Sequence, residues 1–238
     1  MASDSLPEFE VIQLSSLLSS KAVDHSTIVQ SYRAFRLLSL QTDPDAFAST
    51  YMEESREKDE FWQARLANAK ASYFIAVSLN SDPSSSSNWL GMLTLLGPQD
   101  DEGLHTVSTN PWVSQGKTAA GMAARQIDNK VQTQHERTVS FHFVGTYTVA
   151  SARRRGIGNA LFHAALSHAE KIGRQSAGAS LQCTIFVDAD NSPALRLYEN
   201  SGFEGVESHT YKPKPVESGE RAERLALKMV LRKSLRDA

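Results

Sequence analysis

The sequence lacks cysteine pairs and long apolar runs. It has a single cysteine, Cys183, so no intramolecular disulfide can form, which is typical of proteins in a reducing compartment. Apolar runs such as residues 90–96 are much shorter than the roughly 20 residues of a membrane-spanning helix. The first ten residues contain neither a basic nor an apolar segment and do not predict a secretory signal. We therefore expect a cytoplasmic protein with no membrane partner.

An excess of charge of either sign is also missing, because the formal net charge is −2 at pH 7. A nucleic-acid-binding protein that uses Arg153–Arg155 with Lys212 and Lys214 is an alternative. However, the sequence has neither an extended basic face nor a basic stripe with interleaved aromatic residues. The seven histidines show no spacing typical of metal ligands. These absences predict neither a nucleic-acid partner nor a bound metal.

The composition is that of a globular protein. The chain has 238 residues, of which 40% are apolar and 22% charged, and this length is enough to bury a substantial core. We expect one domain, residues 1–238, without internal repeats. Apolar periodicity and turn signals predict helices at 27–40 and 52–71 and strands at 9–14, 73–79 and 89–96.

The most informative segment is the basic, glycine-containing stretch Arg153–Gly158. A β-branched and aromatic run ends before it, and apolar residues at helical spacing begin with Ile157. A strand, a tight loop and a helix start in this order bring free backbone N–H groups and the positive end of the helix dipole together. Glycines let the backbone approach an anion, and arginines add positive charge. The segment therefore predicts a site for a pyrophosphate-containing cofactor.

The spacing excludes two common phosphate-binding motifs. A dinucleotide-binding G-x-G-x-x-G loop needs a third glycine where this chain has Leu161. The G-x-x-x-x-G-K-[ST] loop is absent as well. What remains, Arg153-x-x-Gly156-x-Gly158, resembles the acyl-CoA pyrophosphate loop of the GNAT superfamily of N-acetyltransferases.

A second motif downstream strengthens this resemblance. A predicted strand at 181–187 is followed by Asn191, by Ala194–Glu199 and by Gly202-Phe203. The pattern N-x-x-A-x-x-L-Y-x-x-x-G-F at this distance from the loop is similar to the second half of the GNAT core. The resemblance implies an α+β (α/β-like) fold, with a central, mostly antiparallel mixed sheet of about six or seven strands and helices on both faces.

The resemblance implies acetyl-CoA as cofactor and acetyl donor. The residues expected to bind it lie on the fourth strand, in the basic loop, at the following helix start and in the second motif. They are Tyr147, Val149, Arg153, Arg154, Arg155, Gly156, Ile157, Gly158, Asn159, Ala160, Asn191 and Tyr198. For Asn191, a simple helix cap is an equal alternative and is compatible with cofactor contact.

The resemblance also implies that Tyr198 faces the sulfur atom of the cofactor. A phenol with a reference pKa of about 10 stays protonated at neutral pH and can donate to a thiolate as it forms. Packing of Tyr198 on the sheet is the alternative. The candidates for accepting the amine proton are His142 on the fourth strand and Glu53 and Glu54 at a helix start. Residues of these types at such positions are often structural, so a protein without a dedicated base is also an alternative.

We therefore expect an N-acetyltransferase that transfers an acetyl group from acetyl-CoA to a primary amine by direct attack in a ternary complex. A catalytically inactive acyl-CoA-binding GNAT-like regulatory module is the alternative. The acceptor is a small molecule or a peptide or protein amine, and a homodimer is left open. Acidic residues within 37–56 favour a cationic amine. Residues 97–138 form a long insertion between strands three and four, which either covers part of the acceptor site or is inert.

Overall fold

Seven strands form one mixed sheet in the order β1-β2-β3-β4-β5-β7-β6. The structure is a computed structural model that describes residues 9–99, 137–213 and 222–236. Neighbouring strands run antiparallel except β4 and β5, which are parallel. The strands are β1 Phe9–Gln13, β2 Ala71–Ser78, β3 Trp89–Gln99, β4 Thr138–Thr148, β5 Ser180–Asp188, β6 Glu204–Tyr211 and β7 Arg224–Ser234.

Helices cover both faces of this sheet. They are α1 Leu14–Leu18, α2 His25–Thr42, α3 Tyr51–Glu54, α4 Asp59–Leu66, α5 Ile157–Gln175 and α6 Ser192–Asn200. Alternate residues of β2 enter different cores, as the pleat of a strand requires: Ile75 packs in one core with Phe35 and Trp62, and Ala76 in the other with Phe162. The predicted fold class is therefore confirmed. None of the described helices combines the length and the apolar character needed to cross a bilayer.

Helix α2 packs on one face of the sheet and contributes residues to the wall of the site. Asp24 caps its start, because its side chain accepts a hydrogen bond from the Ser26 backbone N–H at 3.3 Å. Ile28, Tyr32 and Phe35 lie at helical spacing and are buried against the sheet. Burying side chains of this size stabilises the fold by about 1.5–3 kcal/mol each. These buried side chains therefore hold α2 firmly against the sheet.

The prediction of one helix over 52–71 is wrong, because the chain breaks between α3 and α4. A reciprocal capping box of Thr50 and Glu53 starts α3. In a continuous helix Glu54 and Arg65 would lie about 16 Å apart along the axis, at 1.5 Å per residue. With the break, Arg65 Nη1 and Glu54 Oε2 approach to 3.0 Å. The turn after Glu54 thus makes a buried ion pair possible that a straight helix would prevent.

The insertion also begins later than predicted. Strand β3 continues to Gln99, which pairs with Ser140 of β4, and Gly97 and Pro98 lie within this strand at an irregularity of the β3–β4 register. The insertion lies largely outside the described residues, and so does its expected contact with the acceptor. Residues 214–221 also lie outside them.

Strands β4 and β5 separate before they end. Their register covers Thr138–Phe143 opposite Ser180–Ile185. Beyond Phe143, β4 stays paired with β3, and β5 stays paired with β7 as far as Asp188. Among the described strands, the edge of β4 that faces β5 therefore has no ladder partner from Val144 to Thr148. This opening lies at the carboxyl ends of the two parallel strands.

Candidate active site

A cleft of about 800 Å³ lies at this opening. Its walls come from the ends of β4 and β5, from the basic loop and the start of α5, from α6, from β6, and from α2 with the chain that follows it. The cleft brings together most residues that the sequence analysis selected. These are Tyr147, Arg153, Arg154, Gly156, Ile157, Gly158, Asn159, Asn191, Tyr198 and His142.

Gly156 has the geometry expected of an anion-binding loop. It is the N-cap of α5, with φ of +79°, in the left-handed region that favours glycine. A Cβ atom built on Gly156 would meet no atom within 4 Å. No side chain caps this helix start, so the first N–H groups of α5 are available to a ligand. The position thus combines free donors, a positive dipole end and an open approach.

Gly158 also has a packing role that we did not predict. A Cβ atom on Gly158 would lie 2.9 Å from Leu197 Cδ2, in α6. The glycine therefore lets α5 and α6 approach each other closely. Gly158 lines the cleft as well, and the expectation that both glycines admit the phosphates stays a prediction.

The three arginines of the loop have different surroundings. Arg153 donates from Nε to the Thr148 carbonyl at 3.0 Å and forms an ion pair with Asp43. Arg154 lines the cleft and adopts φ of +60°. Arg155 does not line the cleft, although we predicted that it binds the cofactor. Arg154 is therefore the member of the trio best placed to contribute charge to an anion.

Tyr198 lies on α6 and is 7% exposed. Its ring packs against Phe162, with the centroids 5.2 Å apart, and against Phe203. Burial raises the pKa of Tyr198 to about 12, and the Thr146 side chain opposes this shift. The hydroxyl thus stays protonated at neutral pH and can serve as a donor. Asn191 caps α6 by accepting a hydrogen bond from the Ala194 N–H at 3.2 Å, and it also lines the cleft.

The candidate bases differ in position. Neither Glu53 nor Glu54 lines the cleft. Glu53 completes the capping box, and Glu54 is buried in ion pairs with Arg36 and Arg65. His142 does line the cleft. Burial lowers its pKa to about 4, against a hydrogen bond to the Thr184 backbone that raises it. The imidazole is therefore neutral at pH 7 and only weakly basic.

The remaining predicted cofactor residues differ in whether they line the cleft. Tyr147 lines the cleft, and its hydroxyl lies 2.8 Å from Thr42 Oγ1 at the end of α2. The Val149 N–H donates to the Leu90 carbonyl at 3.0 Å, so this group is occupied within the protein. Neither Val149 nor Ala160 lines the cleft.

Several residues that line the cleft were missed by the sequence analysis. They belong to elements distant in the chain: Tyr32, Arg36, Arg65, Thr146, Phe186, Asp188, Arg196 and His209. For Arg196 a signal existed, since it lies within the second motif, two residues before Tyr198. The others carry no local pattern, because tertiary packing alone brings them to the cleft.

Comparison with known proteins bears on the family and the fold of this chain. A family model described as the acetyltransferase (GNAT) family matches residues 43–203, more than half of the chain. The chain belongs to the GNAT acetyltransferase family. This confirms the resemblance found in the sequence, and acetyl-CoA is the acetyl donor of GNAT enzymes. No curated protein sequence matches the chain.

Solved GNAT structures share the fold over nearly the whole chain. Arabidopsis thaliana NAA60 in complex with acetyl-CoA has a TM-score of 0.53 and 15% identity, covering 94% of this chain and 97% of that one. The ribosomal-protein-S18-alanine N-acetyltransferase from Escherichia coli has a TM-score of 0.50 and 14% identity, covering 95% of each chain. Spermidine N-acetyltransferase from Vibrio cholerae, in complex with CoA and spermine, has a TM-score of 0.50 and 10% identity, covering 94% of each chain. At these identities the likeness shows the GNAT fold alone.

Proposed function

We propose that the protein is an N-acetyltransferase that transfers the acetyl group of acetyl-CoA to a primary amine by direct attack in a ternary complex. The observation that carries this proposal is the presence of two features in one cleft. These are the uncapped, glycine-led start of α5 and the protonated hydroxyl of Tyr198. The first suits a pyrophosphate, and the second suits a thiolate leaving group. A cytoplasmic location and a homodimer stay predictions.

Different parts of the chain bind different parts of acetyl-CoA. The N–H groups at the start of α5, with Arg154 beside them, bind the pyrophosphate. The unpaired edge of β4 from Val144 to Thr148 offers backbone groups to the amide-containing arm of the cofactor. When bound, acetyl-CoA supplies the thioester carbonyl that the amine attacks.

Tyr198 then delivers the proton that the reaction needs. As the amine nitrogen forms its bond to the carbonyl carbon and the carbon–sulfur bond breaks, negative charge develops on sulfur. The Tyr198 hydroxyl donates its proton to that sulfur, and a proton from solvent restores it. Because the pKa of Tyr198 is raised, its hydroxyl stays protonated at neutral pH and can donate the proton.

We propose that the acceptor loses its own proton to solvent rather than to a dedicated base. The carboxylates lining the cleft are all ion-paired within the described residues: Asp43 with Arg153, and Asp45 and Asp188 with Arg224. His142 has its pKa lowered to about 4 by burial. His209 is the other imidazole among the described cleft residues.

The proposed activity is tested by CoA release over a panel of primary amines, with acetyl-CoA binding measured separately by calorimetry. Acetyl-CoA-dependent CoA release with at least one amine supports the proposal. If acetyl-CoA binds but no amine is acetylated, the chain is instead the inactive acyl-CoA-binding module considered above.

The absence of a base is tested by the pH dependence of kcat/KM. Without a dedicated base, the rising limb follows the pKa of each acceptor amine and shifts when the amine is changed. A limb that is independent of the acceptor and disappears in His209→Gln would identify His209 as the base and contradict this part of the proposal.

A further inference from the structure

Two buried arginines in the cleft share one carboxylate. Arg36 on α2 and Arg65 on α4 are 5% and 8% exposed, and both line the cleft. Arg36 donates to Glu54 from Nε at 3.0 Å and from Nη2 at 2.7 Å. Arg65 donates from Nη1 to the same carboxylate at 3.0 Å. Two positive charges and one negative charge therefore meet at this wall of the cleft.

The single carboxylate stays ionised. Burial by itself would raise the pKa of Glu54, but Arg36 and Arg65 lower it to about 2. The group of three therefore carries one net positive charge in a place where water is largely excluded. A buried charge without a counter-charge is costly, and an anion that reaches it is bound strongly.

The carboxylates that line the cleft do not supply that anion within the described part of the chain. Asp43 forms its ion pair with Arg153 of the basic loop. Asp45 lies 3.3 Å from Arg224, which also holds Asp188 at 2.7 Å. Three of the acidic residues that we expected to attract a cationic amine, Asp43, Asp45 and Glu54, are thus paired with arginines of the protein itself.

Arg36 has the geometry of a ligand contact. Its guanidinium uses Nε and Nη2 for Glu54, and Nη1 has no hydrogen-bond acceptor among the described residues. The Phe47 ring covers one face of the guanidinium at 4.7 Å and also lines the cleft. Thr42, on the same helix, contacts the Tyr147 hydroxyl of β4. This wall therefore adjoins the strand edge at which we place the cofactor arm.

We infer that the acceptor is an amine that also bears a carboxylate, and that Arg36 binds this carboxylate. The inference rests on the proposed acetyltransferase function. A guanidinium held by Glu54 and Phe47 is already fixed in position, so little conformational freedom is lost when it binds an anion. The recognised carboxylate lies at the α2 wall, and the amine points towards Tyr198.

The test compares matched acceptors on the wild-type protein. Each pair has a free carboxylate in one member and a carboxamide in the other: glycine, β-alanine, 4-aminobutyrate, phenylalanine and glycylglycine, each against its amide. Phosphoethanolamine reports whether a phosphate serves instead. Since charge-assisted hydrogen bonds are about twice as strong as neutral ones, we expect kcat/KM, expressed per neutral amine, to be at least about tenfold higher for the acid in the pair of suitable length. The values are expressed per neutral amine because an amino acid and its amide differ in the pKa of the amine.

A variant assigns the effect to its residue. Arg36→Met should bring the acid-to-amide ratio of the preferred pair to about one, and this ratio is read from the two acceptors on the same variant whatever the change in its absolute rates. Arg33→Met is the matched control, because Arg33 lies on the same helix, pairs with Asp59 and does not line the cleft. Arg36→Lys keeps the charge if the methionine variant does not fold, and it should reduce the ratio in part.

The outcomes separate the two proposals. Equal kcat/KM per neutral amine for acids and amides on the wild-type protein overturns the inference and leaves the acetyltransferase function standing. A preference for acids that persists in Arg36→Met overturns the assignment to Arg36. If no amine is acetylated, the proposed function fails, and calorimetry then decides the inference by itself. It compares N-acetyl amino acids with their amides in the presence of CoA, and tighter binding of the acids supports a carboxylate site.

Discussion

At the scale of single residues, the basic loop contains two glycines with different tasks. Gly156 has a positive φ and faces open space, whereas Gly158 lies against Leu197. A side chain at Gly156 would project into the room that an anion needs. It would also strain the backbone, because the left-handed conformation costs an L-residue about 1–2 kcal/mol.

We predict that Gly156→Ala weakens CoA binding by about tenfold, roughly 1.4 kcal/mol. Calorimetric titration with CoA measures the change. Gly205→Ala is the matched control, because a Cβ atom there also meets no atom within 4 Å and Gly205 lies on β6. Unchanged affinity in folded Gly156→Ala would show that the phosphates bind elsewhere.

Tyr198 is the residue on which the proposed chemistry depends most. Tyr198→Phe removes one hydroxyl and leaves the ring contacts with Phe162 and Phe203 in place. We expect kcat to fall by about 10²–10⁴-fold, the usual effect of losing a positioned proton donor. CoA affinity and the melting temperature should stay close to those of the wild type.

Steady-state kinetics and calorimetry on Tyr198→Phe separate these effects, with the exposed Tyr51→Phe as control. Because burial raises the pKa of Tyr198 to about 12, the protonated donor persists through alkaline pH. Wild-type kcat should therefore show no loss that is due to ionisation of Tyr198 up to about pH 10. A variant as active as the wild type would leave Tyr198 with a packing role.

At the scale of elements, the Arg36–Glu54–Arg65 group joins α2, α3 and α4. Glu54→Gln leaves two buried arginines without their carboxylate, which we expect to lower the free energy of unfolding by about 3–5 kcal/mol at pH 7. Glu53→Gln is the neighbouring control, since glutamine also completes a capping box. Urea denaturation of both variants measures the difference, and similar losses in the two would contradict a special role for Glu54.

The same group predicts how stability depends on pH. Glu54 has a pKa of about 2 in the folded protein and a reference value of 4.5. Its contribution is therefore complete above about pH 4.5 and is lost as the pH falls towards 2, a change of about 3 kcal/mol. In Glu54→Gln the free energy of unfolding should decrease less steeply across this window. Parallel curves for the two proteins would show that Glu54 does not contribute this pH dependence.

The sequence predicted the elements whose signals are local. The helix over 27–40 and the strands were found because apolar residues repeat along one element, and the loop and Tyr198 were found because their motifs are contiguous. The break after Glu54 was missed because the contacts that accompany it are not local: Glu54 pairs with Arg36, 18 residues earlier, and with Arg65 of the next helix. The same reason explains why Arg36 was not recognised as part of the cleft.

At the scale of the whole molecule, the sheet consists of two parts that meet at β4 and β5. Strands β1–β4 precede the basic loop, and strands β5–β7 follow it. The two parts are joined by the register between Thr138–Phe143 and Ser180–Ile185. The opening of the strands is thus a property of the complete sheet. The sequences of β4 and β5 did not predict this opening, because each has the residue pattern of an ordinary half-buried strand.

This opening has a consequence for amide hydrogen exchange. Those N–H groups between Val144 and Thr148 that point towards β5 have no ladder partner among the described strands. They should exchange with solvent much faster than the N–H groups of the same strand that are bonded to β3. We expect CoA to slow exchange at these positions and at the start of α5, and to leave the β6–β7 ladder unchanged. The cofactor would then act as a temporary strand that closes the sheet.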